Sequence, residues 1–221
     1  MHDPTTFAGP RTASATPVTL QHAVGATAAT LQAQYLGDRG IAPQTAARGR
    51  LAVLRRSAGS TALEHPLTMQ EVLDSLDPGL SAEDLGTQDT PSPSESAAFD
   101  AMTLFALHMQ SAVTPAHVRG RSFGTAMGML RLRSESGSLK PRFDALLASR
   151  DERSRLTHAR SLITLLRGAG IGLDYGLFAR DLRTLSSRHR AGVLLRWARD
   201  FATTPRRQEA ADHEASPSTP A

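Results

Sequence analysis

Apolar residues recur at helical spacing along most of the chain, and several of these runs begin at a residue that can cap a helix. We find no convincing two-residue alternation, which would indicate a half-buried strand. The pattern predicts an all-α protein, a compact bundle of about eight or nine helices in two packed helical subdomains with disordered termini. The predicted helices begin near Val18, Pro43, Thr68, Ser94, Ser122, Pro141, Asp151, Asp174 and Ser187.

Local signals set the helix boundaries. Residues 68–71 have the spacing of a capping box, which predicts a short helix that ends before Pro78. Ser94, Ser122 and Asp174 are predicted to cap the helices that follow them. The longest predicted helix opens at residues 151–152 and ends at the glycines 168 and 170.

The last predicted helix, residues 187–201, has an apolar face and a basic face. At 100° per residue, its large apolar side chains fall within an arc of about 100°: Val193, Leu194, Trp197 and Phe201. The arginines on the opposite side are Arg188, Arg196 and Arg199. We therefore predict that Trp197 belongs to the core rather than to a platform for stacking bases, and that these arginines are exposed.

Composition divides the chain into four parts. Residues 1–17 and 204–221 are rich in Pro, Thr, Ala and Ser, which predicts disordered tails. Between them we expect an N-terminal helical subdomain, residues 18–135, and a C-terminal one, residues 136–203. Residues 77–94 are acidic and contain three prolines, so they are expected to form a surface loop of the first subdomain.

Composition also excludes several classes of protein. The 221 residues include no cysteine, which excludes disulfides, thiolate metal sites and cysteine nucleophiles. The first residues lack the pattern of a secretory signal, and no run of about eighteen apolar residues is present. We expect a soluble, cytoplasmic protein with no membrane partner.

Charge is distributed very unevenly. Residues 119–207 contain nineteen basic side chains, eighteen of them arginine, against seven acidic ones, whereas residues 64–100 contain nine acidic side chains and no Lys or Arg. A concentrated basic surface attracts polyanions, and guanidinium groups grip phosphate bidentately. Arginines also commonly solvate helix faces, so the block predicts a binding surface without naming its partner.

One motif raises the possibility of catalysis. The sequence GRSFG at 120–124 matches G-x-S-x-G, the nucleophile elbow of serine hydrolases, with His158 and His189 downstream. An elbow needs an apolar strand before it, and residues 111–119 contain a proline and no such strand. We favour the interpretation that Ser122 starts a helix and that Gly124 permits close packing.

No other pattern indicates a reaction centre. The eight histidines have no metal-binding spacing, and no phosphate loop or dinucleotide fingerprint is present. His108 is interpreted as a partly buried packing residue rather than a base. We predict no enzyme activity, no metal and no cofactor.

Several segments, in order, resemble the small-subunit (CasB) family of the type I-E CRISPR Cascade complex. The clearest are RFDALL at 142–147, residues 158–167 and GIGLDYGLFARDL at 170–182. The resemblance starts weakly at 49–57, continues at 104–110 and closes with LRWARDF at 195–201. GRSFG resembles the family's Gly-x-Ser-Leu-Gly helix start. The chain departs from the family at Thr125 and Gly128, where basic residues are usual.

The resemblance implies a non-catalytic subunit, present in two copies, of an RNA-guided surveillance complex for antiviral defence. Its partners would be the guide RNA, the target and displaced strands of the target DNA, the large subunit, the backbone subunits and a second copy of itself. It would stabilise the R-loop through phosphate contacts, because opening an R-loop is nearly balanced energetically.

Both the basic clusters and the resemblance point to one set of candidate nucleic-acid-binding residues: Arg48, Arg50, Arg55, Arg56, Arg119, Arg121, Arg131, Arg133, Lys140, Arg142, Arg196 and Arg199. Two alternatives stay open at this point. One is a stand-alone helical protein whose basic face meets an acidic protein, and the more remote one is a serine hydrolase that uses Ser122.

Overall fold

The computed structural model describes residues 18–133 and 138–215, and this part of the chain contains nine α-helices and no β-strand. The all-α prediction is confirmed. The predicted tail at 1–17 lies outside the described residues, as do residues 134–137 and 216–221. The helices are α1 (Leu20–Leu36), α2 (Ile41–Leu54), α3 (Pro66–Ser75), α4 (Pro93–His108), α5 (Phe123–Arg133), α6 (Leu139–Ala148), α7 (Glu152–Gly168), α8 (Tyr175–Leu185) and α9 (Arg190–Ala215).

Helix α4 is central because it is apolar or small on nearly every face. Every residue from Ala97 to His108 is buried. Helices α1, α2, α3, α7 and α8 pack around it. The ring of Phe105 meets the ring of Tyr175 on α8 edge to face, with 5.1 Å between centroids. The core therefore extends without a break from α4 to α8.

A cluster of aromatic rings continues this core from α8 to α5, α6 and α9. The ring of Trp197 on α9 is 1% exposed and lies 5.0 Å from that of Phe123 and 6.1 Å from that of Phe178. Phe143 of α6 stacks on Phe201 of α9 at 4.6 Å. The prediction that Trp197 belongs to the core is confirmed.

Two glycines let α5 and α9 cross closely. A Cβ at Gly124 would lie 2.5 Å from the carbonyl oxygen of Trp197, and one at Gly128 would lie 2.6 Å from the Cβ of Thr204. Neither position can carry a side chain unless α9 moves. The predicted packing role of Gly124 is confirmed, and the absence of a basic residue at 128 has a physical reason in this helix contact.

Three of the predicted caps are present. In each, a side-chain oxygen accepts a hydrogen bond from the backbone N–H three residues later, which satisfies a donor that the first helical turn leaves unpaired. The pairs are Ser122 with Thr125 (3.1 Å), Asp151 with Ser154 (2.8 Å) and Asp174 with Leu177 (3.0 Å).

The predicted start of α3 at Thr68 is wrong. The helix begins at Pro66, whose fixed φ suits a first turn, and Thr68 lies inside it with its hydroxyl 3.0 Å from that of Ser57. A capping box does occur nearby, between Thr61 and Glu64, where it opens the short 3₁₀ turn Ala62–Glu64. Helix α3 itself begins at the proline without a side-chain cap.

The predicted start of α4 at Ser94 is also displaced. Pro93 occupies the first turn, and Ser92 caps the helix in a capping box with Glu95. The hydroxyl of Ser94 instead donates a hydrogen bond of 2.6 Å to Asp84 in the preceding segment. Two serines so close together compete for the cap, and the proline between them decides the outcome.

The last helix begins and ends later than predicted. Ser187 lies in the turn before α9, where its hydroxyl accepts a hydrogen bond from the backbone N–H of His189. The helix runs past the predicted end at Phe201, to Ala215, which makes it longer than α7. Residues 206–215 are RRQEAADHEA, mostly strong helix formers, so the helix continues beyond Pro205. It includes residues 204–215 of the predicted tail.

Helices of the two predicted subdomains share the core. Helices α1 and α4 pack on α8, and α5 packs on α9, across the boundary predicted at residue 135. The division into residues 18–135 and 136–203 stays a prediction.

The acidic segment between α3 and α4 is irregular and is tied to α4 and α8. The backbone carbonyl of Asp84 accepts a hydrogen bond of 2.5 Å from Ser92. The carboxylate of Asp84 also lies 3.5 Å from the guanidinium of Arg183 on α8. One acidic side chain of this segment therefore neutralises a basic side chain of the C-terminal half.

Candidate nucleic-acid interface

The twelve predicted basic residues lie on three groups of elements. Helix α2 and the turn after it carry Arg48, Arg50, Arg55 and Arg56; the segment 119–133 carries Arg119, Arg121, Arg131 and Arg133; and α6 and α9 carry Lys140, Arg142, Arg196 and Arg199. Helix α2 packs mainly on α1, α3 and α4, whereas α5 and α6 pack mainly on α7 and α9. The structure therefore does not bring all twelve residues into one cluster.

Two of the four arginines on α2 and the turn after it make contacts within the protein. Arg48 lies over the ring of Tyr35, 5.8 Å from its centroid, and Arg50 lies 3.6 Å from the carboxylate of Glu71. Arg55 is half-buried and Arg56 is exposed in the 3₁₀ turn Arg55–Ser57. Arg56 is the most available cation of this group.

The loop before α5 is held in place by backbone hydrogen bonds to the start of α8. The backbone N–H of Val118 donates to the carbonyl of Leu173, and the N–H of Leu173 donates to that of Ala116, both at 2.9 Å. The carboxylate of Asp174 accepts from the N–H of Gly120 at 2.7 Å. These bonds fix the backbone on both sides of residue 119.

A side chain of α1 holds the same loop from the other side. The amide of Gln32 accepts from the backbone N–H of His117 at 2.6 Å and donates to its carbonyl at 3.1 Å. The Nδ1 atom of His117 accepts from the N–H of Tyr175 at 3.1 Å. Burial lowers the pKa of His117, which agrees with a neutral ring that accepts at Nδ1. Arg119 therefore projects from an ordered loop.

Arg121 and Arg133 meet at the turn that follows α7. The guanidinium of Arg121 donates to the carbonyl of Gly172, and that of Arg133 donates to the carbonyl of Ala169, both at 3.2 Å. Burial, and then the charge of Arg133, lower the pKa of Arg121. Carbonyl groups at a helix end favour cations, so these two arginines stabilise the turn, whereas Arg119 beside them is exposed.

The third group contains both free and paired cations. Lys140 forms an ion pair of 2.6 Å with Asp144 one turn later. Arg131 of the second group approaches this region, because its guanidinium lies over the ring of Phe201 at 5.5 Å. Arg142 and Arg199 are exposed. Of the four candidates in this group, these two are the most available for phosphate.

Arg196 is held by a buried carboxylate, and the same carboxylate holds an arginine that sequence reasoning missed. Oδ1 of Asp181 accepts from Arg196 at 2.5 Å and from Arg180 at 3.1 Å, and Oδ2 accepts from the indole N–H of Trp197 at 2.8 Å. The two arginine side chains stay 43% and 46% exposed. The spacing of Arg180 and Arg183 along α8 could have indicated an exposed basic face there.

Ser122 acts as a helix cap. Its hydroxyl accepts from the backbone N–H of Thr125 and donates to the carboxylate of Asp200 at 2.6 Å. Among the described residues, no histidine forms a hydrogen bond with it. The interpretation of Ser122 as the start of a helix is confirmed, and this geometry gives no support to the hydrolase hypothesis, because a serine nucleophile needs a base in hydrogen-bond contact.

His108 is buried, as its interpretation as a packing residue requires. Its Nδ1 lies 2.9 Å from the hydroxyl of Tyr175. Burial, with a contribution from the charge of Arg167, lowers the pKa of His108 to about 4, so the ring is neutral at neutral pH. In the described part of the chain, no three His, Asp or Glu side chains are grouped to hold a metal.

None of the helices within the described residues has the length and hydrophobicity that a bilayer span requires.

Four of the twelve candidate residues are exposed and available for phosphate: Arg56, Arg119, Arg142 and Arg199. Within the described residues, none of the four forms an ion pair with a carboxylate. A free guanidinium on a rigid element can bind a phosphate group bidentately without first breaking an internal bond.

Comparison with known proteins shows which family the chain is similar to. A family model described as CRISPR-associated protein Cse2 matches residues 50–201. The crystal structure of CasB from Thermobifida fusca is similar at 28% identity and a TM-score of 0.65, over 82% of this chain and 97% of that one.

Two further structures share the fold. CasB of M. ruber has 22% identity and a TM-score of 0.56, over 88% of this chain and 98% of its own. A chain of a structure described as a CRISPR RNA-guided surveillance complex has 18% identity and a TM-score of 0.59, over 90% of this chain and 100% of its own. A comparison with curated protein sequences gives no match.

Proposed function

The chain belongs to the Cse2 family of CRISPR-associated proteins, and from this premise we propose that it is a non-catalytic, nucleic-acid-binding subunit of an RNA-guided surveillance complex. The observation that carries the proposal is the set of exposed arginines without acidic partners on helices α6 and α9, on the 3₁₀ turn after α2 and on the loop before α5. Arg119 is the best placed of them, because hydrogen bonds fix its loop on both sides.

The proposed task is to stabilise an R-loop through its phosphates. Pairing a guide RNA with one DNA strand replaces a DNA duplex of similar stability, so contacts with the backbone can tip the balance. Phosphate contacts carry no sequence information, and sequence is read by guide pairing. A rigid surface with separate cations suits this task because it needs no base readout.

The same proposal names the partners. In a type I-E Cascade complex the subunit contacts the guide RNA, the target and displaced DNA strands, the large subunit, the backbone subunits and a second copy of itself. The groups of arginines on α2 and on the 119–133, α6 and α9 elements lie on different parts of the surface. This separation agrees with a subunit that meets more than one strand or neighbour.

Charge reversal at the free arginines tests the proposal. We expect Arg119→Glu or Arg142→Glu, in the assembled complex, to weaken R-loop binding by about tenfold, because each removes a charge-assisted phosphate contact. The dissociation rate of a labelled target DNA measures the effect. Circular dichroism should show an unchanged helix content, since both side chains are exposed.

The matched control is Arg39→Glu. Arg39 is also exposed but lies outside the region that matches the family. Arg121→Glu is a poor test because it also breaks the hydrogen bond to the carbonyl of Gly172. If Arg119→Glu and Arg142→Glu behave like Arg39→Glu, the assignment of these residues to nucleic acid is wrong.

A further inference from the structure

A surface groove of about 470 Å³ lies along the exposed side of α1. Small residues of α1 line it, Gly25, Ala26 and Ala29, together with His117 and Arg119 of the loop before α5. We call this feature the α1 groove. Its volume is in the range of sites that hold one small organic molecule. The α1 groove has room for one base or nucleotide and is too small for a duplex.

The lining of the α1 groove is ordered before any ligand binds. Gln32, which also lines it, makes two hydrogen bonds to the backbone of His117. A Cβ added at Gly25 would lie 3.6 Å from the Cα of Gly176, which indicates that α1 and α8 are in close contact there. A ligand would therefore bind without the cost of ordering a loop.

Guanidinium groups from two elements border the α1 groove. Arg119 lines it directly. Gln21 lines it as well, and the side-chain oxygen of Gln21 accepts a hydrogen bond of 3.3 Å from Arg180. Arg180 in turn shares the Oδ1 atom of Asp181 with Arg196. Arg180 and Arg196 are therefore anchored as one pair, and Arg180 is the member that contacts the lining of the α1 groove.

One carboxylate, Asp174, is among the residues that line the α1 groove. Its two oxygens are already occupied, because they accept the backbone N–H groups of Leu177 and Gly120 at 3.0 and 2.7 Å. These bonds stabilise the carboxylate and hold it against the backbone. The lining itself carries one arginine and one carboxylate, and the adjoining cluster of Arg180, Arg196 and Asp181 adds a net positive charge.

We propose that the α1 groove binds one unpaired nucleotide of a single-stranded nucleic acid, with its base against α1 and its flanking phosphates on Arg119 and on the Arg180–Arg196 pair. The class of ligand rests on the proposed function. Every base has an apolar face that can lie on small residues, and the Gln21 amide and the His22 ring can meet its polar edge. Bases within a duplex cannot enter unless they unstack.

The absence of cysteine from the native sequence allows a direct test. Ala29→Cys places a single thiol in the α1 groove, and Ala82→Cys places one in the acidic segment, at an equally exposed alanine. The rate of alkylation by iodoacetamide is measured for each variant, alone and with an oligonucleotide of about twelve residues. One arm uses oligothymidine DNA, another oligouridine RNA, and a third a duplex. Fluorescence anisotropy at about 50 mM salt confirms saturation.

We expect bound single strands to slow alkylation of Ala29→Cys by about tenfold and to leave Ala82→Cys unchanged. If only the DNA strand protects the thiol from alkylation, the ligand is single-stranded DNA. If the DNA and RNA strands both protect it, recognition does not depend on the 2′-hydroxyl. The proposal is overturned if the single strands do not bind, if they bind without protecting Ala29→Cys, or if the duplex protects equally well.

Failure of this inference can be told apart from failure of the proposed function. The nucleotide site alone is rejected if the thiol in the α1 groove stays fully reactive while the Arg119→Glu and Arg142→Glu complexes form a weaker R-loop. The proposed function itself is rejected if both variants form R-loops as stable as those of the unmodified protein.

Discussion

Replacing Gly176 by alanine should lower the free energy of unfolding by about 2–3 kcal/mol. Gly176 lies in the first turn of α8, where the helix crosses α1. A Cβ there would overlap the backbone carbonyl oxygen of Gln21 and would lie 3.2 Å from the Cα of Gly25. Because both neighbours are backbone atoms of a helix, no side chain can rotate to make room, and α1 and α8 must separate.

Urea unfolding, followed by circular dichroism, measures this loss. The matched control is Gly49→Ala, at a helical glycine of α2 with nothing within 4 Å of the added Cβ. That substitution should stabilise the protein by about 0.5–1 kcal/mol, because alanine has the higher helix propensity. Equal stabilities for the two variants would mean that the α1–α8 crossing is looser than described.

Replacing Asp181 by asparagine should lower the free energy of unfolding by about 2–4 kcal/mol. The carboxylate is buried and accepts hydrogen bonds from Trp197, Arg196 and Arg180. Asparagine has the same shape but one acceptor oxygen and an NH₂ group. Its NH₂ group must face either the indole N–H or the two guanidinium groups, so at least one donor loses its partner.

The control for this substitution is Asp144→Asn. Asp144 pairs with Lys140 at 2.6 Å, but both side chains are at least half exposed. A pair of this kind contributes about 0–0.5 kcal/mol, so its loss should leave the urea midpoint nearly unchanged. If Asp181→Asn is as stable as Asp144→Asn, the network around Asp181 does not anchor α8 to α9.

Local features of the fold could be predicted from the sequence because they depend on neighbouring residues. The caps at Ser122, Asp151 and Asp174 each involve a bond across three residues. The burial of Trp197 follows from the periodicity of one helix. The predicted start at Ser94 is wrong because two capping residues lie close together and a proline decides between them. The predicted start at Thr68 is wrong because Pro66 begins the helix two residues earlier, without a side-chain cap.

Whether each arginine is paired or free could not be predicted in the same way. Arg50 pairs with Glu71, and Arg196 shares Asp181 with Arg180, across turns and between helices. Whether a cation is free for phosphate depends on these contacts, which periodicity does not encode. The sequence indicated twelve candidates, and the structure separates paired residues such as Lys140 from free ones such as Arg119 and Arg142.

The α1 groove was also beyond sequence reasoning. It depends on Gln32 reaching the backbone of His117, 85 positions later in the chain, and on α1 meeting α8 at Gly25 and Gly176. Small residues on one side of a helix usually indicate only close packing. Here part of that side is left open beside Arg119.

The lifetime of the R-loop, compared between complexes assembled with and without this chain, is the most direct test of the central claim. With the chain present, we expect DNA dissociation to be about tenfold slower and to depend more steeply on salt, because added phosphate contacts release counterions. Adding the purified chain back should restore both properties. Equal lifetimes and equal salt dependence in the two complexes would contradict the account.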